Sequence, residues 1–98
     1  MKGNVYGSTI EIANRKLEEI IEDYKSMGYL VTRYVKSLNG SFVEFNNADF
    51  WQAVRAGDGQ RANRCNVAYI DYNIDQDIIN YTVRPAITLK PFQAERYY

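Results

Sequence analysis

One amphipathic stretch near the start of the chain constrains the fold more than any other feature of the sequence. Between residues 8 and 27, apolar side chains recur at three- and four-residue spacing, and charged side chains occupy the opposite side. Ser8 and Glu11 have the spacing of a capping box, and Gly28 is a typical C-terminal cap. The sequence therefore predicts one long helix over residues 8–27 that packs its apolar side against a core.

Three strands are predicted after this helix. Residues 29–37 and 42–46 are rich in Val, Tyr, Phe and Thr, which are typical of strands. Asn39 and Gly40 lie between them, and this pair favours a tight hairpin because both residues tolerate positive φ. Residues 50–54 follow a short polar segment and provide the third strand. We expect these segments to be antiparallel neighbours.

The second half of the chain predicts one more buried strand and a short helix. Residues 66–71 are an apolar run that ends in an acidic residue, which is typical of a strand buried on both faces. Asp75 can cap a helix of about two turns. Pro85 interrupts a final extended segment at residues 83–89, and the tail at 91–98 is expected to be partly loose.

The length of the chain limits it to one small domain. With 98 residues, of which 46% are hydrophobic, it can build one core. We predict a single domain over residues 1–98, of the α/β class with α+β as the alternative. Its sheet is expected to be mixed, mainly antiparallel and of four to five strands, with one long N-terminal helix. Because such a sheet has open edges, we also expect a homodimer through an edge or a Tyr-rich surface.

The composition excludes several kinds of active site. The chain has no His, which removes serine triads, Cys-His pairs and His-ligated zinc. Cys65 is the single cysteine and has no activating neighbour in sequence, so it is predicted to be a small core residue. Twelve basic and twelve acidic residues give a formal charge of zero, with no overall electrostatic attraction for nucleic acid or a membrane. No apolar signal region opens the sequence, so we expect a cytoplasmic protein without membrane contact.

A series of short motifs between residues 42 and 89 occurs in a recognisable order. A turn leads to a glycine- and arginine-containing loop, then to an apolar strand with an acidic end, an acidic-apolar segment and an Arg-Pro pair. In chain order these are Phe45-Asn46-Asn47, Gly59-Gln60-Arg61, residues 67–71, residues 75–79 and Arg84-Pro85. This order resembles the nucleotidase core of phage terminase large subunits, the packaging ATPases. The resemblance covers about half of the chain.

This resemblance implies a nucleotide site and a magnesium site. Gly7, Ser8 and Thr9 stand where a phosphate-binding loop would precede a helix, whose N-terminus favours anions. Asp71 corresponds to the magnesium-binding acid at the end of the apolar strand. Apart from the resemblance, Asp75 is a second candidate ligand, because two nearby carboxylates can hold a largely hydrated magnesium ion. Under this interpretation the cofactors are Mg²⁺ and ATP.

The departures from the family pattern argue against hydrolysis. A phosphate-binding loop has the spacing G-x-x-x-x-G-K-[ST], but the segment at residues 3–9 is one residue shorter and lacks the lysine. The glutamate expected after the magnesium-binding acid is Tyr72, and the loop arginine expected before Gly59 is Asp58. Phosphoryl transfer depends on such positioned charges. The chain therefore resembles a shortened, degenerate relative, in which we expect no catalytic residue and no cofactor.

The loop after residue 54 carries the candidate binding residues for a phosphate or a partner. Arg55, Arg61 and Arg64 could contact phosphate groups or nucleic acid, with Trp51 as a neighbouring stacking surface. The alternative is a solvated loop whose arginines pair with nearby acids. The sequence leaves both interpretations open.

Three functions follow from these patterns. The first is a small non-catalytic phage protein that binds a macromolecular partner, as an inhibitor or an accessory factor. A protein partner is favoured, and a phage factor directed against a host defence complex fits this description. The alternatives are a nucleotide-binding or ATPase module of DNA packaging and a nucleic-acid-binding module.

Overall fold

The computed structural model describes residues 1–57 and 63–98. In these residues the chain forms one long helix, six strands and a short helical segment between the last two strands. In chain order the elements are β1 (Lys2–Gly7), α1 (Ile10–Ser26), β2 (Val31–Val35), β3 (Phe42–Phe45), β4 (Phe50–Arg55), β5 (Val67–Ile70), α2 (Gln76–Ile78), a π-helical turn (Ile79–Val83), a 3₁₀ turn (Arg84–Ala86) and β6 (Ala94–Tyr97).

The strands form one mixed sheet in the order β2-β3-β4-β1-β5-β6. β2 pairs with β3 and β3 with β4 in antiparallel fashion. β1 lies parallel to both β4 and β5, and β5 lies parallel to β6. The α/β class, the mixed sheet and the long helix are confirmed. The described residues contain six strands rather than the predicted four to five, because β1 and β6 were missed.

β1 is a central strand despite a composition that does not predict one. Gly3 passes directly beneath the indole of Trp51, where a Cβ atom would lie 2.2 Å from the nearest ring carbon. Asn4 is buried, and its side-chain amide donates to the Tyr6 hydroxyl at 3.1 Å and accepts from Gln52 at 3.1 Å. Close packing and satisfied polar groups thus replace the apolar run that is typical of a central parallel strand.

The two faces of the sheet carry separate cores. α1 covers one face, where its buried residues pack with apolar side chains of the first five strands; this core comprises Val5, Ala13, Leu17, Ile20, Ile21, Val43, Phe45, Trp51, Ala53 and Val67. The helical turns after β5 cover part of the other face, and that core comprises Tyr6, Ala56, Cys65, Ala68, Ile70, Ile74, Ile79 and Val83. Cys65 is a buried core residue, as predicted.

Two local predictions need correction at the ends of α1 and β2. The N-cap of α1 is Thr9, whose hydroxyl accepts from the Ile12 amide at 3.3 Å, and not Ser8. Gly28 follows the helix with φ of 92°, as its predicted capping role requires. The antiparallel pairing of β2 and β3 is confirmed, but their connection is longer than the two-residue turn that Asn39 and Gly40 suggested.

The predicted extended segment at residues 83–89 is wrong over its first part. Residues 79–86 are helical, and Pro85 lies in the first turn of the 3₁₀ segment, where its fixed φ and missing amide hydrogen are tolerated. Val83 is fully buried against the second core, which favours the helical path. The tail that was expected to be loose contains β6, which β5 holds by parallel pairing.

Candidate functional site

The candidate nucleotide and metal residues meet at the carboxyl ends of β1 and β5. These strands are parallel neighbours, so Gly7 at the end of β1 and Asp71 just after β5 emerge at the same edge of the sheet. The chain leaves β1 through α1 toward one side, and leaves β5 toward β6 on the other. Such a reversal is a common place for ligands in α/β sheets. We call this place, formed by Gly7, Ser8, Thr9 and Asp71, the β1–β5 junction.

The carboxylate of Asp71 binds the turn between β1 and α1. Oδ2 of Asp71 accepts from the Ser8 amide at 2.9 Å and from the Ser8 hydroxyl at 2.5 Å. Oδ1 accepts from the Asn73 amide at 3.0 Å. The structure thus brings together two candidate residues that lie 63 positions apart in the sequence. The Asp71 carboxylate thus connects the turn between β1 and α1 with the loop that follows β5.

Asp71 is 4% exposed, yet its contacts favour the ionised form. Burial by itself raises the pKa of this carboxyl, but the hydrogen bonds from Asn73 and Ser8 outweigh burial and lower the pKa below its ordinary value of 3.8. Asp71 therefore carries its negative charge at neutral pH. That charge lies against the amide and hydroxyl of Ser8.

The turn at the junction is too short to form a cradle. Only Ser8 and Thr9 separate β1 from α1. The hydroxyl of Thr9 caps the helix, and a Cβ atom on Gly7 would lie 2.4 Å from the Thr9 carbonyl oxygen. Gly7 therefore permits the helix to approach the strand closely, rather than freeing backbone amides to surround a phosphate.

The end of the chain covers the junction, which sequence reasoning missed. The hydroxyl of Tyr98 donates to the Tyr6 carbonyl at 2.8 Å, and the amide of Tyr72 donates to the Tyr98 carbonyl at 2.9 Å. Burial, followed by the charges of Asp71 and Glu19, raises the pKa of the Tyr98 phenol. Tyr98 therefore remains a neutral donor, and its ring fixes the end of the chain beside the junction. The two tyrosines at the end of the tail were the only sequence feature that could have indicated this packing.

Asp75, the second candidate metal ligand, has a structural contact in the loop after β5. Its carboxylate caps α2 by accepting from the Asp77 amide at 2.8 Å, as the sequence predicted. Across residues 1–57 and 63–98, no three Cys, Asp or Glu side chains form a group that could hold a metal ion. A magnesium ion would therefore depend on Asp71, whose oxygens already accept three hydrogen bonds.

Three of the four candidate partner-binding residues lie in the described part of the chain. Arg55 is exposed at the end of β4, and the Arg64 side chain donates to the Thr88 hydroxyl at 2.9 Å. Trp51 is 4% exposed and faces α1, where its indole nitrogen donates to the Tyr24 hydroxyl at 2.9 Å, so it offers no stacking surface. Arg61, with the Gly59 and Asp58 positions of the terminase-like loop, lies outside the described residues.

The helices of the described segments give no sign of a membrane span. None of them combines the length and the apolar character that crossing a bilayer requires.

Solved structures of a phage large terminase share this fold. The large terminase of a thermophilic bacteriophage matches with a TM-score of 0.66 and 14% identity, over 98% of this chain and 24% of that chain. The same terminase in complex with ATP-gamma-S matches with a TM-score of 0.66 and 15% identity, over 98% and 24% of the respective chains. Its complex with ADP matches at 0.66 and 14%, over 98% and 25%.

These matches show a terminase-like fold. The identity is 14% to 15%, and this chain spans 24% to 25% of the length of the terminase chains. No protein-family model and no curated protein sequence matches the chain. The resemblance seen in the order of the sequence motifs is thus supported at the level of the fold.

Proposed function

We propose that this protein is a non-catalytic, bacteriophage-type protein that binds a macromolecular partner, with a protein as the favoured partner, in the cytoplasm of the host cell. The observation that carries the proposal is the β1–β5 junction, where the Asp71 carboxylate accepts from both the amide and the hydroxyl of Ser8. A nucleotide phosphate would need these donors.

The geometry of the junction disfavours a bound nucleotide. In a phosphate-binding loop, several backbone amides converge on the phosphates and a lysine neutralises them. Here the turn has two residues, the Ser8 amide already has an anionic partner, and the lysine is absent. A phosphate brought to Ser8 would have to displace the protein's own carboxylate.

Electrostatics acts in the same direction. Two unit negative charges 4 Å apart repel each other by about 4 kcal/mol at an effective dielectric constant of about 20. Because the pKa of Asp71 is lowered, its charge persists at neutral pH. A phosphate would face this repulsion without a neighbouring lysine to offset it. We therefore interpret the chain as a shortened, degenerate relative of the terminase core, with no cofactor and no catalytic residue.

The first test is calorimetric titration with ATP and with ADP, each with and without Mg²⁺. We expect no binding at millimolar nucleotide, and a phosphate release rate equal to that of Asp71→Asn. The matched control is Asp77→Asn, which removes an exposed carboxylate that, like Asp71, follows β5 along the chain. Magnesium-dependent binding by the wild-type protein and the control, abolished in Asp71→Asn, would overturn the proposal.

The second test addresses the partner directly. The immobilised protein is used to capture partners from a bacterial lysate, and each captured protein is then purified and titrated against the free chain. We expect one saturable complex of fixed stoichiometry, and a component of a host defence complex is one class that fits. If purified candidates show no saturable binding, the partner-binding half of the proposal fails.

A second candidate function is a nucleotide-binding module related to DNA packaging. It is supported by the Ser8 hydroxyl and the Asp71 carboxylate, which lie together at the ends of two parallel strands, where Mg²⁺ could join them. The terminase with the matching fold was solved with ADP and with ATP-gamma-S. The same calorimetric titration decides between the two functions.

A further inference from the structure

The exposed apolar side chains of this protein are concentrated around one edge of the sheet. β2 is the outermost strand on that side and pairs with β3 through one of its edges. In the described residues, six of the ten exposed large apolar or aromatic side chains lie in β2 or within four residues of it. They are Met27, Tyr29, Leu30, Tyr34, Val35 and Leu38. We call this surface the β2 edge.

The backbone of β2 provides the means of association. An edge strand presents a row of amide and carbonyl groups that can pair with another strand. The register of β2 against β3 shifts between Val31 and Arg33, and is regular from Arg33 to Val35. The regular part of the strand can therefore accept a neighbour.

We propose that the β2 edge is an interface for a second copy of this chain, whose β2 pairs antiparallel with the first about a twofold axis at Tyr34. The two most exposed apolar side chains of this surface are placed symmetrically about that residue. Leu30 precedes Tyr34 by four residues and Leu38 follows it by four, and they are 66% and 88% exposed. With Tyr34 opposite its own copy, Leu30 of each chain comes to the end of the pair where Leu38 of the other lies.

The charges of β2 are compatible with this register and disfavour one of its neighbours. Arg33 faces Val35 of the copy, and Lys36 faces Thr32. A shift by two residues in one direction would place Arg33 opposite Arg33, and like charges directly opposite destabilise a strand pair. The same shift in the other direction would place Val35 opposite Val35 and would separate Leu30 from Leu38 of the copy. A shift by one residue would turn every side chain to the wrong face. The register centred on Tyr34 avoids the contact between like charges, keeps every side chain on its face and places Leu30 near Leu38 of the copy.

The two cations also have contacts within their own chain. The guanidinium of Arg33 lies 5.2 Å from the ring centroid of Phe42, and Lys36 lies 3.4 Å from the Glu18 carboxylate. Neither charge needs a partner from the second copy. A twofold interface requires one surface to be complementary to itself. The β2 edge meets that condition through its apolar residues, because its cations are already in contact with groups of their own chain. This self-complementarity favours a second copy over an unrelated strand.

The first experiment measures association by sedimentation equilibrium from micromolar to millimolar protein. We expect the mass to rise with concentration from 11.4 kDa toward twice that value. Tyr34→Glu places two negative charges opposite each other on the axis, and is expected to keep the protein monomeric. Tyr81→Glu is the matched control, because Tyr81 is 81% exposed and lies in the π-helical turn; it should leave association unchanged.

The second experiment tests the register by disulfide trapping in air with a copper catalyst. Residues directly opposite each other on antiparallel strands have Cα atoms about 4.5–5.5 Å apart, within the range that a disulfide spans. Tyr34→Cys should therefore form a covalent dimer with itself. Val35→Cys should not, because Val35 of the copy lies two residues out of register, at about 7–8 Å. The native Cys65 is fully buried and does not compete.

The outcomes separate this inference from the proposed function. If the wild-type protein stays monomeric at millimolar concentration, the proposed interface is wrong. It is also wrong if the Tyr34→Glu variant still dimerises. Equal trapping of Tyr34→Cys and Val35→Cys overturns the register. None of these results changes the nucleotide titration or the capture experiment, so each proposal can fail alone.

Discussion

The β1–β5 junction and the β2 edge differ in how their polar groups are satisfied. At the junction, the buried Asp71 carboxylate accepts three hydrogen bonds from Ser8 and Asn73, and Tyr98 closes the adjacent backbone. At the β2 edge, a strand with exposed apolar side chains pairs through one side. The acceptor and donor groups at the junction are already paired with each other, whereas the edge that we propose as an interface lies three strands away from β1.

The place where ligands usually bind in a fold therefore does not by itself locate the function of a protein with that fold. At the junction, the same residue types that could coordinate a metal stabilise the turn instead. A buried anion with three donors contributes to the stability of the fold, whereas exposed residues at an edge contribute little to it. Substitutions in the two regions should therefore differ in size and in the property they change.

The largest effect is expected from Asp71→Ala. This substitution leaves the Ser8 and Asn73 amides without their acceptor in a site that is 4% exposed. We expect the free energy of unfolding to fall by about 3 kcal/mol, since buried donors lose a charged partner. Urea denaturation followed by circular dichroism measures the change. A loss as small as that of the exposed control Asp77→Ala would show that the junction does not stabilise the fold.

A smaller loss is expected from Gly7→Ala. Its Cβ atom would lie 2.4 Å from the Thr9 carbonyl oxygen and 2.7 Å from the Ala13 amide nitrogen, so the start of α1 must move. We expect a loss of about 2 kcal/mol, as for other overpacked positions. Gly28→Ala is the control for a glycine in open space, where the positive φ of 92° gives a strain of about 1 kcal/mol. Equal losses in thermal or urea unfolding would contradict close packing at the turn.

The pH dependence of stability separates the charge of Asp71 from its size. Because the folded pKa lies below the ordinary value of 3.8, ionised Asp71 stabilises the fold above that pH. The contribution is lost as the pH falls through the folded pKa. Protonation keeps both oxygens in place, so the loss should be smaller than that of Asp71→Ala. Urea unfolding at neutral pH and near pH 3 should show a shallower decline for Asp71→Asn than for wild type, and parallel declines would contradict this prediction.

The sequence predicted the elements whose signals are local. The apolar spacing of α1, the aromatic and β-branched residues of β3 and β4, and the capping carboxylate of Asp75 each act within a few residues. Their structures follow the prediction closely. The mixed α/β class could therefore be reached without tertiary information.

The missed features depend on distant partners. β1 contains Gly3 and Asn4, which disfavour strands, and it is held by parallel pairing with β4 and β5. Ser8 has the sequence pattern of a helix cap, but its hydroxyl donates to the carboxylate of Asp71, 63 residues away. The helix is capped by Thr9, whose hydroxyl accepts from the Ile12 amide. Motif order in the sequence was enough to name Ser8 and Asp71 as candidate residues. Only the structure shows that they bond directly to each other.

The smallest effect on the fold is expected from Tyr34→Ala. This substitution separates the stability of the monomer from self-association at the β2 edge. Tyr34 is 39% exposed on the outermost strand, so its loss should change the free energy of unfolding of the monomer by less than about 0.5 kcal/mol. Its place on the proposed twofold axis means that the same change should weaken self-association measurably. Urea unfolding at low concentration and sedimentation at high concentration should therefore respond differently to one substitution. If Tyr34→Ala instead destabilised the monomer as much as Gly7→Ala, Tyr34 would stabilise the fold, and the proposed interface would lose its central residue.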